Sequence, residues 1–247
     1  MRELFDTVQT IACPRYVSHR GFQPLAPANS LPSFMYAGYL RQWAIETDVH
    51  MTRDGILVCC HNDTVDATYD GTGAIREMSW AELSKLRMNQ GNRLDCLTDG
   101  QKRMPLFSEY LAICKHHGSI PFIEMKTNDA ELVVKAVHDA GLEEEEVIIS
   151  AGGLEKLENV RRYTKRTFIH LIFAKPEEAE TLASLGNAGL SWKFADPDEC
   201  PPEMIAMAHD AGLKVCLRAG DSVESVKKML AMGCDYVPTN CMHGELE

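Results

Sequence analysis

No stretch of this chain approaches the roughly 20 consecutive apolar residues that cross a bilayer. The first residues, Met1 to Tyr16, lack the long apolar core of a secretory signal. Positive charge is scarce: 25 Lys and Arg stand against 36 Asp and Glu, a formal net charge of −11. That balance argues against a nucleic-acid surface and against a polybasic, stable membrane anchor. No Cys-x-x-Cys pair occurs, and the nine cysteines are scattered singly apart from Cys59-Cys60. An odd set without framework spacing fits reduced thiols in a cytoplasmic protein, not a disulfide scaffold. A zinc site from Cys59, Cys60 and His61 is disfavoured, because neighbouring strand residues point to opposite faces. Linker composition and internal repeats are also missing, so residues 1–247 are expected to form one domain.

What is present is an alternation. Short apolar, β-branched runs predict strands at Arg15–His19, Ala44–Val49, Ile120–Met125 and Glu146–Ser150, and again at Thr167–Phe173, Gly189–Phe194, Leu213–Leu217 and Cys234–Pro238. Helical spacing fills the intervals. Asn29-Ser30 precedes Leu31–Leu40 with Pro32 in the first turn, and Gly141 and Gly212 close two other helices. Eight strands alternating with helices over 247 residues suit an α/β protein of the closed (β/α)8 (TIM) barrel type better than an open sheet. One irregularity stands out: Ile56–Cys60 is an extra strand, followed by an Asp-, Gly- and Asn-rich stretch from Asn62 to Gln101. It predicts a small insertion after the second strand, about residues 56–104, with one helix near Trp80–Met88.

Active sites of such barrels lie at the C-terminal ends of the strands. His19 and Arg20 end the first strand. Glu46 and Asp48 are two apart on the second, so their side chains share a face. His61 follows the extra strand, and Glu124 and Lys126 repeat the i, i+2 spacing on the third. Three β/α units thus bring three carboxylates, two histidines, an arginine and a lysine to one rim. Carboxylates on strands buried on both faces repel one another unless something neutralises them. A hard divalent cation, Mg2+ or Ca2+, does so with oxygen ligands; an Arg/Lys-neutralised structural cluster is the other solution. His50 lies on the same strand face as Glu46 and Asp48 but close to or above the rim. His170 is expected as a hydrogen-bonded core residue, and His116, His117, His138 and His209 as helix-surface residues.

His19–Gly21 (His-Arg-Gly), Pro27–Ser30 (Pro-Ala-Asn-Ser), Ile45–Thr64, Phe122–Lys126 (Phe-Ile-Glu-Met-Lys) and Gly233–Asn240 together resemble glycerophosphodiester phosphodiesterases over nearly the whole chain. The resemblance implies a (β/α)8 barrel with a small insertion after the second strand. It implies Glu46, Asp48 and Glu124 as ligands of one divalent cation, His19 and His61 as an acid/base pair, and Arg20 and Lys126 as contacts to the phosphodiester. The implied reaction releases glycerol 3-phosphate and an alcohol from a small-molecule phosphodiester. Cleavage of single-acyl-chain lipids and silent phosphodiester binding are the alternatives. The former needs an apolar ramp that the short later loops do not offer.

Three places depart from the family pattern. Ala28 stands where Glu is usual in Pro-Glu-Asn, and Ser150-Ala151-Gly152 where Ser-Ser-Phe is usual. Arg218, Ala219 and Asp221 occupy the places of a Trp-Thr-x-Asn motif. Loss of the Glu is expected to leave Arg20 less firmly oriented unless Asp221 takes over. Arg218 is expected either to replace an aromatic wall of the substrate site with a cation or to point outward to solvent.

Overall fold

The computed structural model describes residues 4–5, 9–10, 12–194, 197–218 and 220–246. Its framework is a sheet of eight parallel strands with helices between them, running β1 (Tyr16–Ser18), α1 (Leu31–Tyr39), β2 (Ala44–Met51), then the antiparallel β3 (Leu57–Cys59). After α2 (Trp80–Leu83) and α3 (Phe107–His117) the alternation is regular. It runs β4 (Ile120–Met125), α4 (Ala130–Asp139), β5 (Ile148–Ala151), α5 (Leu154–Tyr163), β6 (Phe168–Ala174) and α6 (Ala179–Ser184). It ends with β7 (Ala188–Trp192), α7 (Pro202–Asp210), β8 (Lys214–Cys216), α8 (Val223–Met232) and β9 (Val237–Thr239).

The strand order is β8-β7-β6-β5-β4-β2-β1-β9, with β3 hung on β2. The barrel is nearly closed. Between β8 and β9 the described residues form no ladder. The Asp235 N–H instead donates to Val215 O at 2.8 Å, and the Asp235 carboxylate accepts from the Val215 N–H at 2.9 Å. The Gly220 N–H adds a bond to Pro238 O at 2.7 Å. A carboxylate thus takes the place of a backbone acceptor at the seam, as the obligation to satisfy buried amides requires.

Two apolar layers hold the sheet. Residues such as Ile45, Ile123, Ile149, Ile169, Leu190 and Val215 pack outward against the helices. Alternate residues, including Val17, Phe122, Phe168 and Tyr236, fill the interior. At the N-terminal end Phe5 plugs that interior, 5.1 Å from Phe168 and 5.5 Å from Trp43, ring centroid to centroid.

The insertion has its own small core of Val58, Cys60, Val65, Tyr69, Ile75, Leu83, Met88 and Met104. Cys59 and Cys60 are both buried but in different cores, Cys59 with the barrel and Cys60 with the insertion, which separates them as alternation demands. The expected helix near Trp80–Met88 is only one turn, Trp80–Leu83, capped reciprocally by Ser79 and Glu82. It stops because Arg87 is drawn away: its N–H donates to the Asp70 carboxylate at 2.7 Å, and its carbonyl accepts from the Asp70 N–H at 2.9 Å.

Candidate active site

The turn after β1 is bent by three residues with left-handed backbone, Arg20 (φ 57°), Gly21 (φ 81°) and, after a short loop, Asn29 (φ 52°). A side chain at Gly21 would collide with Ser33, so His-Arg-Gly needs its glycine here. The strained turn aims the Arg20 N–H at Glu46 Oε2, 2.8 Å away, and α1 locks it from behind: Ser33 Oγ donates to Arg20 O at 3.1 Å. Ser30 caps α1 with a Ser30/Ser33 capping box, as Asn29-Ser30 and Pro32 forecast.

On β2 and β4, Glu46, Asp48 and Glu124 bring one carboxylate oxygen each within 4.8 Å of the others. Glu46 and Asp48 are 6% and 0% exposed. Asp48 accepts from Asn29 Nδ2 at 2.8 Å, and Thr47 Oγ1 holds that amide by donating to Asn29 Oδ1 at 2.7 Å. Arg20 Nε stands 3.4 Å and Lys126 Nζ 3.2 Å from Asp48 oxygens, and Lys126 also contacts Glu124. Lys126 donates a hydrogen bond to Glu124, whereas the contacts to Asp48 are ion pairs alone. Glu46 Oε1 and Asp48 Oδ1 are buried and accept no hydrogen bond. Burial, then Asp48 and Glu124, push the Glu46 carboxyl well above its ordinary range. Burial alone would lower the Lys126 ammonium, but Asp48 and Glu124 outweigh it and hold its pKa up.

His19 and the exposed His61 line one cavity of about 500 Å³ together with Arg20, Glu46, Glu124 and Lys126. His19 Nδ1 is 2.8 Å from Asn240 Oδ1, and burial followed by the Arg20 charge lowers its pKa. His61 Nδ1 lies 2.7 Å from Asn62 Oδ1. Arg218 is exposed and is among the residues lining the same cavity; Ala219 lies outside the described residues. Ile172, Phe173, Leu217 and Pro238 add apolar surface to the cavity, with Phe173 45% exposed. This apolar wall comes mainly from the strands and not from the later loops: Ile172 and Phe173 lie on β6 and Pro238 on β9. At Phe173 the strand is irregular: β6 shifts register between Leu171 and Ala174, and Phe173 takes φ 55°.

Asp221 does not hold Arg20. Its carboxylate accepts from the Asn240 N–H, Asn240 Nδ2 and Thr239 Oγ1, so it serves the residue behind His19. The Arg20 side chain has Asp48 as its ion-pair partner, yet its buried Nε makes no hydrogen bond, while Glu46 takes only its backbone N–H. His50 sits outside the cavity, lining a neighbouring groove with Asp63, its Nδ1 3.9 Å from that carboxylate. His170 is the core residue expected, with Tyr236 Oη 2.5 Å from its Nδ1.

The model of the glycerophosphoryl diester phosphodiesterase family matches residues 19–243, from the first histidine of the cavity to just past Asn240. The chain belongs to this family. A glycerophosphodiester phosphodiesterase of Caldanaerobacter subterraneus subsp. tengcongensis is 29% identical over 242 residues, covering 91% of this chain and 93% of the relative. Human glycerophosphodiester phosphodiesterase 1 is 33% identical over 110 residues, 44% of this chain and 33% of the relative. Among solved structures, an Oleispira antarctica phosphodiesterase in complex with the product sn-glycerol-3-phosphate superposes with a TM-score of 0.80 at 22% identity. That match covers 92% of this chain and 93% of the other. No helix among the described residues is long and apolar enough to cross a membrane.

Proposed function

We propose that this chain hydrolyses glycerophosphodiesters to glycerol 3-phosphate and an alcohol, with Glu46, Asp48 and Glu124 holding one divalent cation, Mg2+ or Ca2+. The observation that carries the metal reading is the pair of buried carboxylate oxygens with no hydrogen bond, Glu46 Oε1 and Asp48 Oδ1, within a cluster of three acids. Arg20 and Lys126 supply two positive charges against three carboxylates, so the third is balanced either by a proton, which the raised Glu46 carboxyl would hold, or by a bound cation that displaces it. The cluster's all-oxygen donor set suits a hard ion. Bound there, the ion supplies Lewis-acid stabilisation of charge growing on the phosphoryl oxygens.

The chain's own residues do the rest. Arg20 and Lys126 face the cavity and offer donors to the non-bridging phosphate oxygens. One histidine takes the proton of the nucleophile's O–H as the new O–P bond forms. The other gives a proton to the departing alkoxide as its P–O bond breaks, so the alcohol leaves neutral. The nucleophile is the neighbouring glycerol hydroxyl, with water then opening a cyclic phosphate, or water itself; a cyclic intermediate seen by 31P NMR separates the routes. The alcohol lies toward Arg218 and the apolar wall. We further place the protein in the cytoplasm as one catalytic domain, a reading supported by its mostly buried, unpaired cysteines.

Phe173 gives a second reading one point of support, since an exposed aromatic beside Ile172 and Leu217 suits a single acyl chain. Turnover of glycerophosphocholine against lysophosphatidylcholine decides between them, with and without EDTA. The first substrate is expected to be cleaved faster and chelation to abolish cleavage of both. Glu46→Gln is expected to fold normally and to weaken cation binding, by calorimetry, by more than the roughly tenfold that losing an outer-shell partner costs. Full activity after exhaustive chelation sinks the metal reading.

A further inference from the structure

Behind His19 every donor and acceptor is fixed by its neighbour, and the chain of assignments ends at an ionised group. A carboxylate only accepts. Asp221 Oδ1 takes the Asn240 N–H at 2.7 Å and Thr239 Oγ1 at 3.0 Å, and Asp221 Oδ2 lies 2.6 Å from the Asn240 side-chain amide. The amide atom facing Asp221 is therefore the NH2. Its oxygen is turned the other way, toward His19 Nδ1 at 2.8 Å, where Gln23 Nε2 also donates to it at 2.7 Å. An amide oxygen accepts, so His19 Nδ1 must carry a proton. In a neutral imidazole that leaves Nε2 with a lone pair, and Nε2 is the ring nitrogen left to the cavity. Gln23 braces the same arrangement by donating to the His19 carbonyl at 2.9 Å.

We propose that Asp221 and Asn240 are positioning residues that lock His19 in the Nδ1–H tautomer, which makes His19 the base that takes the nucleophile's proton on Nε2 and assigns the acid's part to His61. The inference rests on reading the cavity as a phosphodiester site, and it settles an assignment that the sequence left open. Burial of His19 acts in the same direction by disfavouring its charged form, while His61 stands exposed where water can reprotonate it between turnovers. The device also gives a role to Asp221, which replaces the Asn of the family motif.

The polarity of the pair gives a test that simple loss of structure does not imitate. In Asp221→Asn, Oδ1 is still needed by the Asn240 N–H and Thr239, so the new NH2 confronts the Asn240 NH2. Asn240 relieves this by turning its amide over, at the loss of the bond from Gln23 Nε2, which then has only the His19 carbonyl to donate to. The inverted amide then offers NH2 to His19, and the ring proton moves to Nε2. Adding Asn240→Asp to that variant exchanges donor and acceptor between the two positions. Asn at 221 then donates to a carboxylate that again accepts from His19 Nδ1.

The measurement is long-range 1H–15N correlation on histidine-labelled protein with Mg2+ present, the His19 signals being identified by their loss in His19→Gln. Wild type is expected to show Nδ1–H. Asp221→Asn should show Nε2–H, with kcat for glycerophosphocholine lowered roughly 10²-fold or more and KM little changed. The double variant should recover both the tautomer and most of kcat. An Nε2–H ring in the wild type overturns the proposal even if the variants fail to fold. So does a single variant with unchanged tautomer and rate, or a double variant no better than the single one. A wild type with the expected spectrum but no turnover of any glycerophosphodiester instead defeats the substrate reading and leaves the tautomer assignment standing.

Discussion

At the scale of single residues, the cavity separates groups that touch the reaction from groups that aim them. His19→Ala and His61→Ala are each expected to lower turnover by about 10²- to 10⁴-fold, the usual worth of one acid or base. An ester with a very acidic leaving group is expected to rescue only the variant that lost the acid, His61→Ala. Arg218 is among the residues lining the cavity, where like-charge repulsion disfavours cationic alcohols. Glycerophosphoinositol is therefore expected to exceed glycerophosphocholine in kcat/KM, and Arg218→Trp to narrow or reverse that order. Most of these residues were legible in the sequence, because charge on a strand buried on both faces has few structural excuses. Asn29, Gln23 and Asn240 were not assigned roles. They act through hydrogen bonds reaching across 19, 217 and 221 positions of sequence, to Asp48, Asn240 and His19, and no local spacing reports such a contact. Asp221 was named only as a stand-in acid for Arg20 and its bonds to Asn240 went unread, since strand-end direction within one residue decides whether a carboxylate meets Arg20 or Asn240.

At the scale of elements, the strands were readable because parallel strands buried on both faces are continuous apolar runs of β-branched residues. Ile120–Met125 kept its expected bounds, and the other strands' ends moved by up to three residues, as with β7, which ends at Trp192 instead of Phe194. The insertion was visible as composition and its helix as a start at Trp80, but not the helix's single-turn length. Leu83 anchors that turn with no exposed surface, in a core separate from the barrel's. Leu83→Ala is expected to cost roughly 2–5 kcal/mol locally. Because the two cores are distinct, the loss should appear as proteolytic nicking between residues 62 and 101 while the barrel keeps its far-ultraviolet circular dichroism.

At the scale of the whole molecule, the interior carries a titratable group with an acid-sensitive consequence. Burial pushes the His170 imidazole down to about 3 from its ordinary 6.5. A base whose folded pKa is depressed contributes stability that is complete above the unfolded value and is lost as pH falls toward the folded one. Below pH 6.5 the unfolded chain binds a proton that the folded one refuses, at about 1.4 kcal/mol per pH unit. His170→Gln is therefore expected to show a flatter fall in Tm between pH 6.5 and pH 4 than the wild type. The closed arrangement was legible from eight alternating units, but the seam was not. Nothing in Cys234–Pro238 announces that the Asp235 carboxylate will replace a rung. That seam has a consequence for how the enzyme ages. The last strand clings to one neighbour by a three-residue ladder and to the other by a few bonds centred on Asp235 and Gly220, and the residue that follows it is Asn240, the brace of His19. Whatever loosens this edge first unseats the brace while the remaining seven strands still stand. The molecule is built to fall silent before it falls apart.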